Sequence, residues 1–181
     1  MRVVARVVLA SLVLWGCAKS AAERFDEHYE HGWQAYRAGD PREAIEQFRE
    51  AVDAFPRSPE AHNALGKAYY DVGERDEAIA QYELALHYRP RYPEARNNLG
   101  IALLDARDVT GAVAQFREAV EVKPNYGAAQ YNLCLGLEIL GRLEDADAHC
   151  RAAQRLAPTT PGLSGTINRI QMKMTAPAWG E

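Results

Sequence analysis

The chain has 181 residues, 48% hydrophobic and 25% charged, a balance that suits one small core or a short repeat array and excludes a disordered polymer. Its formal net charge of −4 at pH 7 excludes a dedicated nucleic-acid binder, whose phosphate contacts require a basic surface. Three cysteines are too few for a disulfide-scaffolded miniprotein or for a zinc site of four thiolates.

Residues 1–16 read as an address rather than as structure. Arg2 and Arg6 precede an unbroken, nearly all-apolar run from Val7 to Trp15. As a helix that run would reach roughly 14 Å, about half a bilayer core, too short to span and the right length for a signal-peptide core. It ends Leu14-Trp15-Gly16-Cys17, which resembles the bacterial lipobox, with Trp15 where that motif usually has a small residue. The resemblance implies a diacylated Cys17, cleavage before it, and an anchor of two or three acyl chains that holds stably on a membrane. A plain secretory signal with an incidental cysteine is the alternative. Cleavage would remove two arginines and no acid, taking the net charge to −6. Ala18, after the lipidated position, leans toward the outer membrane of a bacterial envelope, facing the periplasm. Residues 17–24 then form the lipidated cysteine and a short tether.

The rest of the sequence repeats itself. Pro56, Pro90, Pro124 and Pro158 stand 34 residues apart, and so do Ala44, Ala78, Ala112 and Ala146. Ala51, Ala85, Ala119 and Ala153 follow the same clock. Gly32, Gly66 and Gly100 have Cys134 in the fourth copy, and Phe48, Tyr82 and Phe116 have Cys150. A 34-residue period of small, small, aromatic, small and proline residues resembles the tetratricopeptide repeat (TPR) family over Phe25 to Pro158. The resemblance implies an all-α, right-handed solenoid of four helix-turn-helix repeats, at 25–58, 59–92, 93–126 and 127–158.

Each unit holds two helical patterns divided at Gly39-Asp40, Gly73-Glu74, Arg107-Asp108 and Gly141-Arg142. Glycine suits the left-handed residue that ends a helix, so Arg107 predicts a strained turn. The repeated prolines end second helices, and Pro59 and Pro93 open first helices, where a missing N–H costs nothing. Helices of about a dozen residues are marginal alone, so stacking must stabilise them. Beyond Pro158, residues 159–175 predict a capping helix. Leu163, Ile167, Ile170 and Met174 form its apolar stripe, with Asn168, Arg169, Gln171 and Lys173 facing away. Residues 176–181 are a frayed tail.

Little in the sequence points to catalysis. There is no HExxH, GxGxxG, phosphate loop or GxSxG, and Glu144, Asp145 and Asp147 read as solvated helix surface. His28 and His31 share a helical face but lack a third ligand, so no metal and no other cofactor is expected. Cys134 and Cys150 occupy the eighth and twenty-fourth places of repeat four, level with each other across an antiparallel pair. Helix axes about 8–10 Å apart bring such places near disulfide range. Either they bond, or two small apolar thiols replace glycine and aromatic.

In tetratricopeptide solenoids the first helices line a concave groove. Carried onto this sequence, the groove positions are Tyr29, Trp33 and Tyr36; Asn63, Lys67 and Tyr70; Asn97, Asn98, Ile101 and Asp105; and Tyr131, Asn132, Leu135 and Glu138. Asn98 and Asn132 share the place at which the family uses an amide to bond an extended peptide backbone. The stripe Tyr29-Trp33-Tyr36 is either a binding hot spot or packing against the tether or membrane. Lys67 alone does not make a clamp for a C-terminal carboxylate. The expected function is a non-catalytic, membrane-tethered scaffold that binds a protein or peptide, with no nucleic acid or small-molecule substrate. Two alternatives stand beside it: a pilotin-like accessory for assembly of type IV pilus secretins, and a regulatory adaptor for a cell-wall hydrolase or synthase.

Overall fold

A computed structural model describes residues 19–175. Cys17, the segment before it and the tail 176–181 lie outside the described residues. Among the described residues there are nine helices and no strand. None of these helices is long and apolar enough to cross a membrane. The chain divides into two compact units, one ending at Arg57 and one beginning at Ser58.

The first unit is an antiparallel pair, α1 (Ala21–Arg37) and α2 (Pro41–Ala54). Helix α1 starts earlier than the sequence suggests, because Ser20 and Glu23 form a capping box. Ala21–Arg24, assigned above to a tether, are therefore helical. Asp40 caps α2 through the Glu43 N–H, with Pro41 in the first turn. Phe48 is fully buried and lies on Gly32, where an added Cβ would sit 2.5 Å from the ring.

The second unit holds three further hairpins and a last helix. These are α3 (Pro59–Asp71) with α4 (Arg75–Tyr88), α5 (Pro93–Asp105) with α6 (Val109–Val122), α7 (Gly127–Ile139) with α8 (Leu143–Leu156), and then α9 (Leu163–Thr175). Each second helix packs on the first helix of the next hairpin, and α8 on α9. Successive first helices α3, α5, α7 and α9 also touch, so they form one continuous face.

The repeated residues explain this stacking. Gly66 and Gly100 let α3 and α5 lie directly on the rings of Tyr82 and Phe116; added Cβ atoms would come within 2.8 and 2.5 Å of them. In α7 and α8 the same two places hold Cys134 and Cys150, both fully buried. Their sulfurs are 2.18 Å apart and their Cα atoms 5.3 Å apart, so a covalent pair stands where the other copies pack a ring on a glycine. At the turns Gly39, Gly73 and Gly141 have φ between 73° and 84°, and Arg107 adopts φ 67° at the equivalent place. Among the described residues it is the non-glycine residue forced into the left-handed region, as its position predicts.

Helix α9 departs from the expected stripe. Leu163, Thr166, Ile167 and Ile170 are its buried residues, and Met174 is 42% exposed. Three of the four stripe residues are buried as expected, and Thr166 takes the place of Met174. Arg169 and Lys173, expected to face away, instead pair with buried Glu138.

Candidate functional site

Tyr29, Trp33 and Tyr36 of the first unit are half-buried and belong to an aromatic chain. Tyr29 stacks on Phe25 at 5.3 Å between centroids, and Phe25 meets Phe55 at 5.2 Å. Trp33 meets Phe48 edge-on at 5.3 Å and Tyr36 at 5.5 Å. Such offset and edge contacts add roughly 0.5–1.5 kcal/mol per pair beyond burial. The stripe thus packs within its own hairpin while each of its three rings keeps part of its surface exposed.

The other candidates lie on the α3–α5–α7–α9 face. Asn63 and Asn97 are buried, at 8% and 4% exposure, and so do not offer an accessible surface. Each accepts a hydrogen bond from the asparagine one place further on in the next repeat. Asn98 Nδ2 donates to Asn63 Oδ1 at 3.0 Å, and Asn132 Nδ2 donates to Asn97 Oδ1 at 2.9 Å. Asn63 also donates to the Tyr92 hydroxyl at 3.5 Å. Two of the four expected groove amides are therefore spent on joining repeats. Asn98 and Asn132 stay half-buried, each with a carbonyl oxygen that has no partner among the described residues.

The Tyr70 hydroxyl donates to Asp105 Oδ2 at 2.7 Å, again between successive first helices. Burial, then the Asp105 bond and charge, pushes its pKa up to about 12. Lys67, Tyr70, Asp71, Asn98 and Ile101 line a depression of about 140 Å³ whose floor is Tyr82. Lys67, Tyr70, Asn98 and Ile101, scattered by sequence over two repeats, thus meet around one opening.

A second depression, of about 360 Å³, lies further along the same face, between Leu104, Leu135, Glu138, Ile139, Arg169 and Lys173. Arg169 Nε and Nη2 each donate to Glu138 at 2.7 Å, and Lys173 Nζ donates to it at 2.7 Å. Those bonds, Arg169 first, hold the Glu138 carboxyl down to about 2 against burial. Tyr131 is half-buried beside this region, its hydroxyl 3.3 Å from where a Gly162 side chain would begin.

Three periodic devices went unread in the sequence. In each repeat a side chain on the first helix meets one on the second: His28 and Gln47 at 2.8 Å, His62 and Gln81 at 2.7 Å, Arg96 and Gln115 at 3.0 Å. In the fourth copy the pair is exchanged, Gln130 with His149 at 2.7 Å, and burial pushes the His149 pKa down. His28 is thus a partner of Gln47, and no group of three potential metal ligands occurs among the described residues. Glu60 pairs with Arg89, which lies over Tyr92; Glu94 pairs with Lys123, which lies over Tyr126. Arg96 and Gln130 donate to the Pro90 and Pro124 carbonyls, tying consecutive repeats. The signal was the same 34-residue clock, read there only for small, aromatic and proline residues.

Stacked helical hairpins with an open face of first helices define a repeat scaffold of the kind that engages other proteins. The tetratricopeptide repeat model matches residues 29–71, 63–126 and 99–161, and the chain belongs to that family. No curated protein matches the sequence. Among solved structures, PilF of Pseudomonas aeruginosa is 23% identical with a TM-score of 0.78, over 86% of this chain and 71% of its own. MamA (residues 41 to the end) from Desulfovibrio magneticus RS-1 is 20% identical with a TM-score of 0.75, over 83% and 85%. The first TPR domain of Spaghetti (RPAP3), bound to the HSP90 peptide SRMEEVD, is 20% identical with a TM-score of 0.64, over 66% and 94%. These likenesses establish the fold.

Proposed function

We propose that this protein is a non-catalytic adaptor, anchored to the periplasmic side of a bacterial envelope membrane through diacylated Cys17, that holds a protein segment along its first-helix face. The observation that carries this reading is the continuous α3–α5–α7–α9 face, with two depressions lined by polar and apolar side chains, among them half-buried Lys67, Tyr70, Asn98, Ile101, Leu104 and Leu135. Side chains held half in and half out of a packed layer keep their positions without a ligand, so little ordering entropy opposes binding. A neighbour of the same fold is solved with a peptide bound, which supports a peptide as the kind of ligand. The outer membrane is preferred over the inner, following Ala18.

The test is affinity capture from native membranes with full-length lipidated protein beside an Ile101→Asp variant. A partner held by the first and lost by the second supports groove binding; an unchanged set of partners refutes it. Palmitate labelling that survives Cys17→Ala would refute the anchor. A second reading, a pilotin-like accessory, draws on the lipobox together with the fold shared with PilF. Deletion should then abolish secretin multimers; intact multimers would end that reading.

A further inference from the structure

The depression at the end of the first-helix face has a charge imbalance that its apolar walls make useful. Arg169 and Lys173 converge on one carboxylate, Glu138, whose side chain is only 7% exposed. One negative charge is thus matched by two positive ones, and both cations are about half exposed, at 48% and 50%. Arg169 spends Nε and Nη2 on Glu138 and a long contact from Nη2 to Thr166, and its Nη1 has no acceptor among the described residues. Beside these donors stand Leu104 and Leu135, half-buried, and Ile139, which at 62% is among the most exposed large apolar side chains of the second unit. An exposed aliphatic wall next to uncompensated cations suits a ligand that is apolar and anionic within a few ångströms. A free phosphate would ignore the wall, and a neutral apolar segment would ignore the cations.

We infer that this depression is the subsite for a bulky aliphatic side chain and an adjacent acidic side chain of an extended protein segment. The inference rests on the groove reading above and specifies which end of the face selects the partner and by what chemistry. The segment is read internally: its carboxylate comes from Asp or Glu, and its aliphatic side chain lies between Leu104, Leu135 and Ile139. Glu138 holds the two cations in position, leaving their outward donors for the ligand.

The probe is an octapeptide, Gly-Ser-Leu-Asp-Leu-Glu-Ser-Gly, acetylated and amidated so that it carries no terminal charge. It is titrated into isotope-labelled protein and followed by amide and methyl shifts. Saturable binding below about 1 mM, with shifts at Leu104, Leu135 and Ile139, is the expected result. The sister peptide with Asn and Gln for Asp and Glu should bind about fivefold more weakly, the worth of an exposed charge pair. Lys173→Gln, which leaves Glu138 its Arg169 partner, should cost a similar factor, and Ile139→Ser about tenfold. Both positions are exposed, so both variants fold. Equal affinity for the acidic and neutral peptides overturns the inference. So does a phosphate titration that reproduces the shifts at Arg169 and Lys173, because a bare anion would then suffice. Saturable shifts confined to Lys67, Asn98 and Ile101 overturn this subsite but leave the groove reading standing. No shift on the first-helix face at about 1 mM overturns both.

Discussion

Arg107 and Gly73 occupy the same place in successive repeats, and exchanging their chemistry isolates one backbone term. Arg107 sits at φ 67°, where an L side chain costs about 1–2 kcal/mol. Its side chain is exposed and makes no hydrogen bond or ion pair among the described residues, so nothing is lost with it. Arg107→Gly removes the strain but gives the unfolded chain extra freedom worth roughly 0.5–1 kcal/mol. The net gain is about 1 kcal/mol, or about 2–4 °C in Tm for a chain of this size. Gly73 is the mirror case, with φ +84° and no atom within 4 Å of where a Cβ would stand. Gly73→Ala therefore meets no new contact and changes only the two backbone terms, added strain against lost unfolded-chain freedom, with a net loss of about 1 kcal/mol. Thermal and urea unfolding of both variants, beside wild type, give the two signs. If Arg107→Gly lowers the midpoint, or if Gly73→Ala is neutral, the turn geometry does not carry the strain assigned to it.

Other predictions follow from the packing. Gly100→Ala puts a Cβ 2.5 Å from the fully buried Phe116 ring, so overpacking should outweigh better helix propensity and cost about 1–2 kcal/mol by urea unfolding. Thiol titration of unreduced, unfolded protein should find neither Cys134 nor Cys150 free. Closing a loop of 16-residue separation should stabilise by about 3 kcal/mol, so a reductant should lower the urea midpoint accordingly. Glu138 is a carboxylate whose folded pKa is depressed, from 4.5 to about 2. Its contribution is present above pH 4.5 and fades as pH falls through about 2. The shift corresponds to about 3 kcal/mol, reduced toward about 2 because its partner cations are half exposed. Wild type should thus exceed Glu138→Gln in stability near neutral pH and converge with it near pH 2; a constant difference would refute the assignment.

The features legible in the sequence are those the repeat must keep identical. A glycine under an aromatic ring, an alanine between helices and a proline after a helix each answer a local steric demand, and the demand recurs every 34 residues. The residues that were misplaced answer to a neighbour outside their own repeat. Asn63 and Asn97 looked like ligand-binding amides because their helical place is right. Only the stacked structure shows their oxygens taken by Asn98 and Asn132, 35 residues on. Arg169 and Lys173 looked like solvated face because a single-helix pattern has no knowledge of a buried carboxylate on the preceding hairpin. The aromatic stripe was legible as three rings on one face, but periodicity could not reveal that Phe25 and Phe48 meet them there, with Phe55 against Phe25.

Helix α9 carries the argument from stability to function. Lys173 meets Glu138 across the same 35-residue separation that joins Asp105 to Tyr70 and Asn132 to Asn97. Pro161 likewise stands 34 residues after Gly127, where a first helix opens. So α9 stands where the first helix of a fifth repeat would, and the face of first helices runs onto it instead of stopping at α7. A cap needs only an apolar underside, and Leu163, Ile167 and Ile170 supply that. Arg169 and Lys173 are not part of that underside: they offset the burial of Glu138 and keep about half of their own surface exposed. At the equivalent place in the first helices of the second unit the residues run Asp71, Asp105, Ile139 and Lys173, from acid through apolar to base, whereas α1 of the first unit has Arg37 there. The framework is uniform and the row of facing side chains is not. On the proposed reading, that asymmetry would give a segment lying along the face one favourable direction, with its acidic end at α9.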